Sequence, residues 1–205
     1  AWGSIETGAA QLARTVRLIR QNAGEWHVRK DAIVLAGFSA GGHLAAEYAC
    51  KWYRPALSAA AETEREELRP NALVLGYPVI TAGAAAHEES IHNLLGAQDT
   101  PKMRRSVSLE TQVSGCVPPV FLWHTATDEM VNAENSLLFA SALAREKIPY
   151  ELHIYGSGVH GVSLGTRATV GEEKHVSHGC AGWFAQAARF LERVLLCAGP
   201  METEW

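Results

Sequence analysis

The chain has 205 residues, of which 47% are hydrophobic and 20% are charged, and its formal net charge is −4. This composition is typical of one packed globular domain and excludes a disordered chain, which needs low hydrophobicity and high net charge. A sequence pI of about 6.1 excludes the strongly basic surface that nucleic acids require. The apolar runs are shorter than the ~20 residues of a membrane span. We therefore expect neither nucleic acid nor a membrane as a partner.

The four cysteines form no C-x-x-C pair and are too few for a disulfide framework, so we predict reduced thiols. No secretory signal pattern follows Ala1, and the expected location is the cytoplasm.

Helical and strand patterns alternate along the chain. Apolar residues at spacings of three and four predict a helix over 4–22, and the apolar run AIVLAGF at 32–38 predicts a strand buried on both faces. Strands are further predicted over 71–77, 120–125 and 150–156, and helices over 41–53, 132–147 and 182–196. This alternation predicts a single α/β domain over 1–205, with a mostly parallel sheet and flanking helices.

Two connections, 81–118 and 157–179, are too long for simple turns. Both follow the carboxyl ends of predicted strands, where open α/β sheets bind their ligands. We expect both to be loop insertions near the active site.

The pentapeptide at 37–41 has the pattern G-x-S-x-G, with Ser39 at its centre. A sharp turn between a strand and a helix lifts such a serine above the sheet, and small neighbours relieve the crowded backbone. Because the pattern lies between a predicted strand and a predicted helix, it predicts Ser39 as a nucleophile.

A nucleophilic serine needs a base, and the base needs an acid that orients it. Asp128 follows the third predicted strand and His160 the fourth, in the chain order Ser, acid, His of hydrolases with this fold. Glu129 is the rival acid, but it lies one residue further from the strand end. His43 is predicted to pack and bind backbone, and His124 to orient the acid loop.

The segments GFSAGGHLAA, LGYPVI, NLLG, LWHTATDEMV, NSLLFASAL and YGSGVHG resemble the acetyl-xylan-esterase-like branch of the α/β-hydrolases, relatives of the hormone-sensitive-lipase-type carboxylesterases. The resemblance covers about residues 5–195. It implies that Ser39 is the nucleophile, Asp128 the acid and His160 the base, and that no cofactor is needed. It also implies a small-molecule substrate with a short acyl ester, often an acetyl group on a sugar.

The resemblance also implies features that these 205 residues lack. Members of the branch carry further strands and a His-Gly-Gly-Gly-type loop upstream of the helix at 4–22. The oxyanion hole would combine the amide of Ala40 with amides of that loop. We therefore expect a C-terminal portion of a longer hydrolase, whose strand at 32–38 is completed by a preceding segment or another copy.

Other patterns are weaker. The sequence at 156–161 matches G-x-G-x-x-G, but no helical pattern follows it, which argues against a dinucleotide site. His87 and His92 are five residues apart, whereas H-E-x-x-H zinc ligands are four apart, and His175, His178 and Cys180 lack a fourth ligand at a recognisable spacing. No metal is expected.

A prolyl-oligopeptidase-like serine peptidase and a catalytically silent binding module remain alternatives to an esterase.

Overall fold

The structure is a computed structural model that describes residues 5–169 and 179–196. Within these ranges the strands form one parallel sheet in the order β1-β2-β3-β4, with β1 at Val34–Phe38, β2 at Ala72–Gly76, β3 at Val120–Thr125 and β4 at Tyr150–Tyr155. The α-helices are α1 Ile5–Gln21, α2 Ser39–Lys51, α3 Pro55–Ala61, α4 Glu88–Leu95, α5 Pro101–Val107, α6 Glu134–Arg145 and α7 Trp183–Leu196. Short 3-10 helices lie at Arg65–Leu68, Gly96–Gln98 and Leu109–Thr111.

The sheet lies between two layers of helices because successive side chains of its inner strands alternate between two apolar faces. Leu73 and Leu122 pack towards α2 and α6 in one buried cluster. Val74, Phe121 and Trp123 face the other way and pack against α7. The predicted α/β arrangement is thus present, and each predicted element begins and ends within two residues of the observed one.

The prediction that 32–38 is a strand buried on both faces is wrong for the part of the chain that is described. β1 pairs with β2 alone among the described strands, and Ala36 in its middle is exposed. By contrast, all residues of β2 and β3 are buried. β1 is more exposed because it is an edge strand of this sheet, as is β4. The apolar run of 32–38 does not indicate which strands lie beside it.

The connection 81–118 is not an irregular loop, because it contains α4, α5 and two of the 3-10 helices. Arg104 of α5 forms ion pairs with Glu88 at 2.6 Å and with Asp99 at 2.7 Å, which link α4 to α5. Apolar side chains from the insertion, including Ile91, pack into one buried cluster with Val79 and Val131. The insertion is therefore an ordered helical unit above the carboxyl end of β2.

No helix within the described ranges is long and apolar enough to cross a membrane.

Candidate active site

Ser39 is located at the turn between β1 and α2. β1 ends at Phe38 and α2 begins at Ser39, whose φ of +54° lies in the left-handed region that non-glycine residues rarely adopt. The Ser39 carbonyl accepts a hydrogen bond from the amide of Val79 at 3.1 Å, which fixes the turn against the segment after β2. Such strained backbone persists where the surrounding structure enforces it, as at nucleophile elbows.

Two glycines make this turn sterically feasible. A Cβ atom on Gly37 would lie 2.4 Å from the carbonyl oxygen of Gly41, and one on Gly42 would lie 2.7 Å from Cβ of Pro78. Both distances are far below any normal contact between carbon and a backbone or side-chain atom. A Cβ on Gly41, the second glycine of the pentapeptide, would lie more than 4 Å from every described atom outside the adjacent backbone of its own helix. The close packing therefore depends on Gly37 and Gly42.

The structure brings Ser39, His160 and Asp128 together at the carboxyl edge of the sheet. Nε2 of His160 lies 2.8 Å from Oγ of Ser39, and Nδ1 of His160 lies 2.7 Å from Oδ2 of Asp128. Because an ionised carboxylate only accepts hydrogen bonds, Nδ1 carries the proton and Nε2 is free to accept the Ser39 hydroxyl proton. The three side chains thus form a continuous hydrogen-bonded chain from carboxylate to hydroxyl.

The side chain of Asp128 is fully buried, and its carboxylate is held by the backbone of its own loop. Oδ1 accepts hydrogen bonds from the amides of Met130 at 3.0 Å and Val131 at 2.9 Å. Burial by itself raises the pKa of this carboxyl group, but hydrogen bonds from His124, His160 and the Val131 amide outweigh burial and hold the pKa well below its usual range. Asp128 is therefore ionised at neutral pH. Glu129, the rival acid, is exposed.

His124, which the sequence predicted to orient the acid loop, is fully buried and contacts that loop. Its Nε2 lies 2.9 Å from the carbonyl oxygen of Val131 and 3.4 Å from Oδ2 of Asp128, and its Nδ1 lies 2.8 Å from Oγ of Ser136. The carbonyl oxygen can only accept, so Nε2 donates, and the Ser136 hydroxyl can then donate to Nδ1. His124 thereby connects the acid loop to α6.

Two threonines connect the loop of His160 to the end of β3. The hydroxyls of Thr125 and Thr127 each donate to the carbonyl oxygen of Gly158 at 3.0 Å, and the amide of Gly158 donates back to Oγ1 of Thr127 at 2.9 Å. These bonds fix the segment two residues before His160. The predicted insertion 157–179 is described only over 157–169 and at 179. His175 and His178 therefore lie outside the described residues.

Tyr77 is a site residue that the sequence analysis missed. It follows β2 with a φ of +36°, and its ring contacts the His160 ring edge to face, with 5.0 Å between the ring centroids. Its hydroxyl accepts the amide of Ser163 at 3.3 Å, and burial raises the pKa of this phenol. Its position before Pro78 is a turn signal, but nothing in that signal indicates a contact with a histidine 83 residues later.

Ala40 is exposed in the first turn of α2, where helix amides have no partner within the helix. Three residues on, Nδ1 of His43 lies 3.1 Å from the carbonyl oxygen of Val79, so the predicted packing role of His43 is confirmed. Burial lowers the pKa of His43 to about 4, against the opposing effect of its hydrogen bond to Val79. Its Nε2 is buried and finds no hydrogen-bond partner among the residues that the structure describes.

The alternative sites that lie within the described residues find no support in the geometry, and His175 and His178 lie outside those residues. His87 caps α4 and accepts the amide of Ser90, while His92 lies in the last turn of the same helix. Among the described residues, no group of three or more potential ligands is arranged to hold a metal. The backbone that follows β4 begins no helix at 157–160, as a dinucleotide-binding turn would require.

Known proteins resemble this chain in sequence and in fold. The BD-FAE family model matches residues 9–143. The chain is 38% identical over 153 residues to endo-1,4-beta-xylanase B of Butyrivibrio fibrisolvens, covering 75% of this chain and 24% of that protein. It is 31% identical over 169 residues to an acetylxylan esterase of Xylanibacter ruminicola, covering 80% of this chain and 31% of that protein. The chain thus spans a third or less of both curated relatives.

The structure resembles the crystal structure of a carboxylesterase from Lactobacillus plantarum with a TM-score of 0.78 and 32% sequence identity. The match covers 91% of this chain and 68% of that one. The sheet and its helices therefore have the α/β-hydrolase fold that the sequence predicted. With two thirds of its length matched by the family model, the chain belongs to the BD-FAE family, an α/β-hydrolase esterase family.

Proposed function

We propose that this chain is a serine carboxylic ester hydrolase with Ser39 as nucleophile, His160 as general base and Asp128 as the acid that orients His160. The observation that carries the proposal is the unbroken chain of 2.7 Å and 2.8 Å contacts from Asp128 through His160 to Ser39. The strained φ of Ser39 supports it, because backbone strain at this turn is characteristic of hydrolase nucleophiles.

The proposed reaction proceeds through an acyl-enzyme. Oγ of Ser39 attacks the ester carbonyl carbon while its proton passes to Nε2 of His160, and the imidazolium that forms is stabilised by the ionised Asp128. The oxyanion accepts a hydrogen bond from the amide of Ala40. His160 then gives its proton to the departing alcohol. Water, activated by His160, attacks the acyl-enzyme, and the acid is released from Ser39.

The names of the curated relatives support a proposal for the substrate class. One curated relative is named an acetylxylan esterase and another a xylanase. We propose short acyl esters, with acetyl groups on sugars such as those of xylan as the natural example. No residue of the described structure is assigned to the sugar.

The test uses the protein and its Ser39→Ala variant with 4-nitrophenyl acetate, acetylated xylo-oligosaccharides and a fluorophosphonate probe. We expect acetate release and labelling at Ser39 by the wild type, with the variant unlabelled and slower by roughly 10⁴-fold or more. An aminoacyl anilide serves as the peptidase control and should not be cleaved. A wild-type protein that is neither labelled nor active on esters would contradict the proposal and favour the silent binding module.

A further inference from the structure

Two cavities lie along α2, and they share one lining side chain. The smaller, of about 50 Å³, lies beside the nucleophile turn. Its lining residues are Ala40, His43, Val79, Ser90, Ile91 and Leu94. The larger, of about 410 Å³, lies between the C-terminal ends of α2 and α4 and the helix α5. Among the described residues, Leu94 of α4 lines both cavities, and it is half-buried.

The position of the smaller cavity relative to His160 indicates which part of an ester it receives. In the proposed reaction the leaving oxygen must lie near Nε2 of His160, because that nitrogen returns the proton. The residues that line the smaller cavity come from α2, the segment after β2 and α4, and none of them belongs to the loop of His160. Because the acyl group extends away from the leaving oxygen, we assign it to this cavity beside Ala40.

The volume of the cavity limits the acyl group. A water molecule needs roughly 10–15 Å³ of such space, so about 50 Å³ accommodates only a few non-hydrogen atoms. The walls contributed by Ala40, Val79 and Ile91 are apolar. His43 is uncharged at neutral pH, because burial lowers its pKa to about 4. The cavity thus suits a short, uncharged acyl group.

We propose that Leu94 determines the acyl-chain specificity of this enzyme by closing the acyl pocket off from the larger cavity. This proposal rests on the esterase function proposed above. Removal of the Leu94 side chain should join the two cavities. Leu95, Met103 and Val107 would then offer an apolar surface to a longer alkyl chain. The same cavity is also lined by polar and charged residues, namely Glu47, Lys51, Arg54, Gln98, Ser106 and Gln112, and Lys51 forms an ion pair with Glu47 at 2.8 Å.

The experiment compares Leu94→Ala with the matched control Leu95→Ala. Leu95 is the next residue of α4 and is buried. Of the two cavities, it lines the larger one and not the smaller. The readout is kcat/KM for 4-nitrophenyl esters of acetate, butyrate, hexanoate and octanoate. We expect the wild type to prefer acetate and Leu94→Ala to raise the hexanoate-to-acetate ratio by roughly tenfold or more, since each newly buried methylene contributes about fourfold. Leu95→Ala should leave this ratio unchanged within about twofold, the precision of such ratios.

Two further variants keep the proposal testable if Leu94→Ala folds poorly. Leu94→Val should shift the profile in the same direction by less, and Leu94→Phe should shift it towards acetate. If folded Leu94 variants hydrolyse acetate with an unchanged chain-length profile, the proposal for Leu94 is wrong and the esterase function stands. If the wild type hydrolyses no ester and Ser39 is not labelled, the esterase function itself is wrong, and the acyl pocket with it.

Discussion

The carboxylate of Asp128 lies where two loops and two imidazole rings meet. Two backbone amides bind Oδ1, and His160 binds Oδ2, with His124 at 3.4 Å from the same oxygen. A group with so many donors is ionised and held in one orientation, and it in turn fixes the tautomer of His160. The place of Asp128 after a predicted strand made it a candidate for the acid in the sequence. The donors were not predictable, because they depend on how the loop folds back on itself.

Replacement of Asp128 by Asn tests this arrangement. An amide can present its NH₂ group to His160 and so favour the wrong tautomer, for which we expect a loss in kcat of roughly 10⁴-fold. Glu129→Gln is the matched control, since Glu129 is adjacent and exposed, and its activity should match the wild type. Steady-state kinetics on 4-nitrophenyl acetate measure both. A large loss in Glu129→Gln with little loss in Asp128→Asn would reverse the assignment of the acid.

At the scale of elements, the chain pattern predicted every strand of the described sheet and its long helices, because their apolar residues recur with a clear period. It did not predict α3, α4 or α5, which have seven or eight residues each. Helices this short show only one or two repeats of an apolar face, so packing rather than local pattern specifies them. Because α4 is too short to be predicted from its apolar pattern, its position in the wall of the cavity beside Ala40 was not predictable either.

The packing of α2 on the segment after β2 leads to a prediction about protein stability. A Cβ on Gly42 would lie 2.7 Å from Pro78, so Gly42→Ala must displace α2 or this segment, and we expect a loss of stability of about 1–3 kcal/mol with reduced activity. Gly41→Ala is the control, because its Cβ would lie more than 4 Å from every described atom outside the adjacent backbone of its own helix. Alanine also favours a helix over glycine by up to about 1 kcal/mol. Urea denaturation should therefore find Gly41→Ala as stable as the wild type or more so; equal destabilisation of both variants would contradict this account.

At the scale of the whole molecule, the site is assembled from distant parts of the chain on one edge of the sheet. Ser39 and His160 are 121 residues apart in sequence, and the parallel sheet brings their strand ends together. This topology made the three catalytic candidates predictable, because each follows the carboxyl end of a separate strand. The contact of Tyr77 with His160 was not predictable, since it depends on the crossing of two loops above the sheet.

Acid stability should follow from the buried carboxylate. The pKa of Asp128 is lower in the folded protein than the roughly 3.9 expected when unfolded, so the unfolded state binds more protons in acid and stability falls as pH falls. The contribution is present above about pH 4 and is lost below it, with a slope of up to about 1.4 kcal/mol per pH unit. Asp128→Asn, measured by urea denaturation across this range, should show a shallower slope than the wild type.

A control variant distinguishes the effect of the buried carboxylate on acid stability from the effect of surface charges. Asp31 also has a lowered pKa, chiefly through its hydrogen bond from Arg29, but that pair is exposed. Salt screens exposed pairs and leaves buried ones largely unaffected. We therefore expect high salt to abolish any effect of Asp31→Asn on the acid slope while the difference between Asp128→Asn and the wild type persists. Wild type and Asp128→Asn with equal slopes at low and high salt would show that Asp128 does not carry the acid sensitivity.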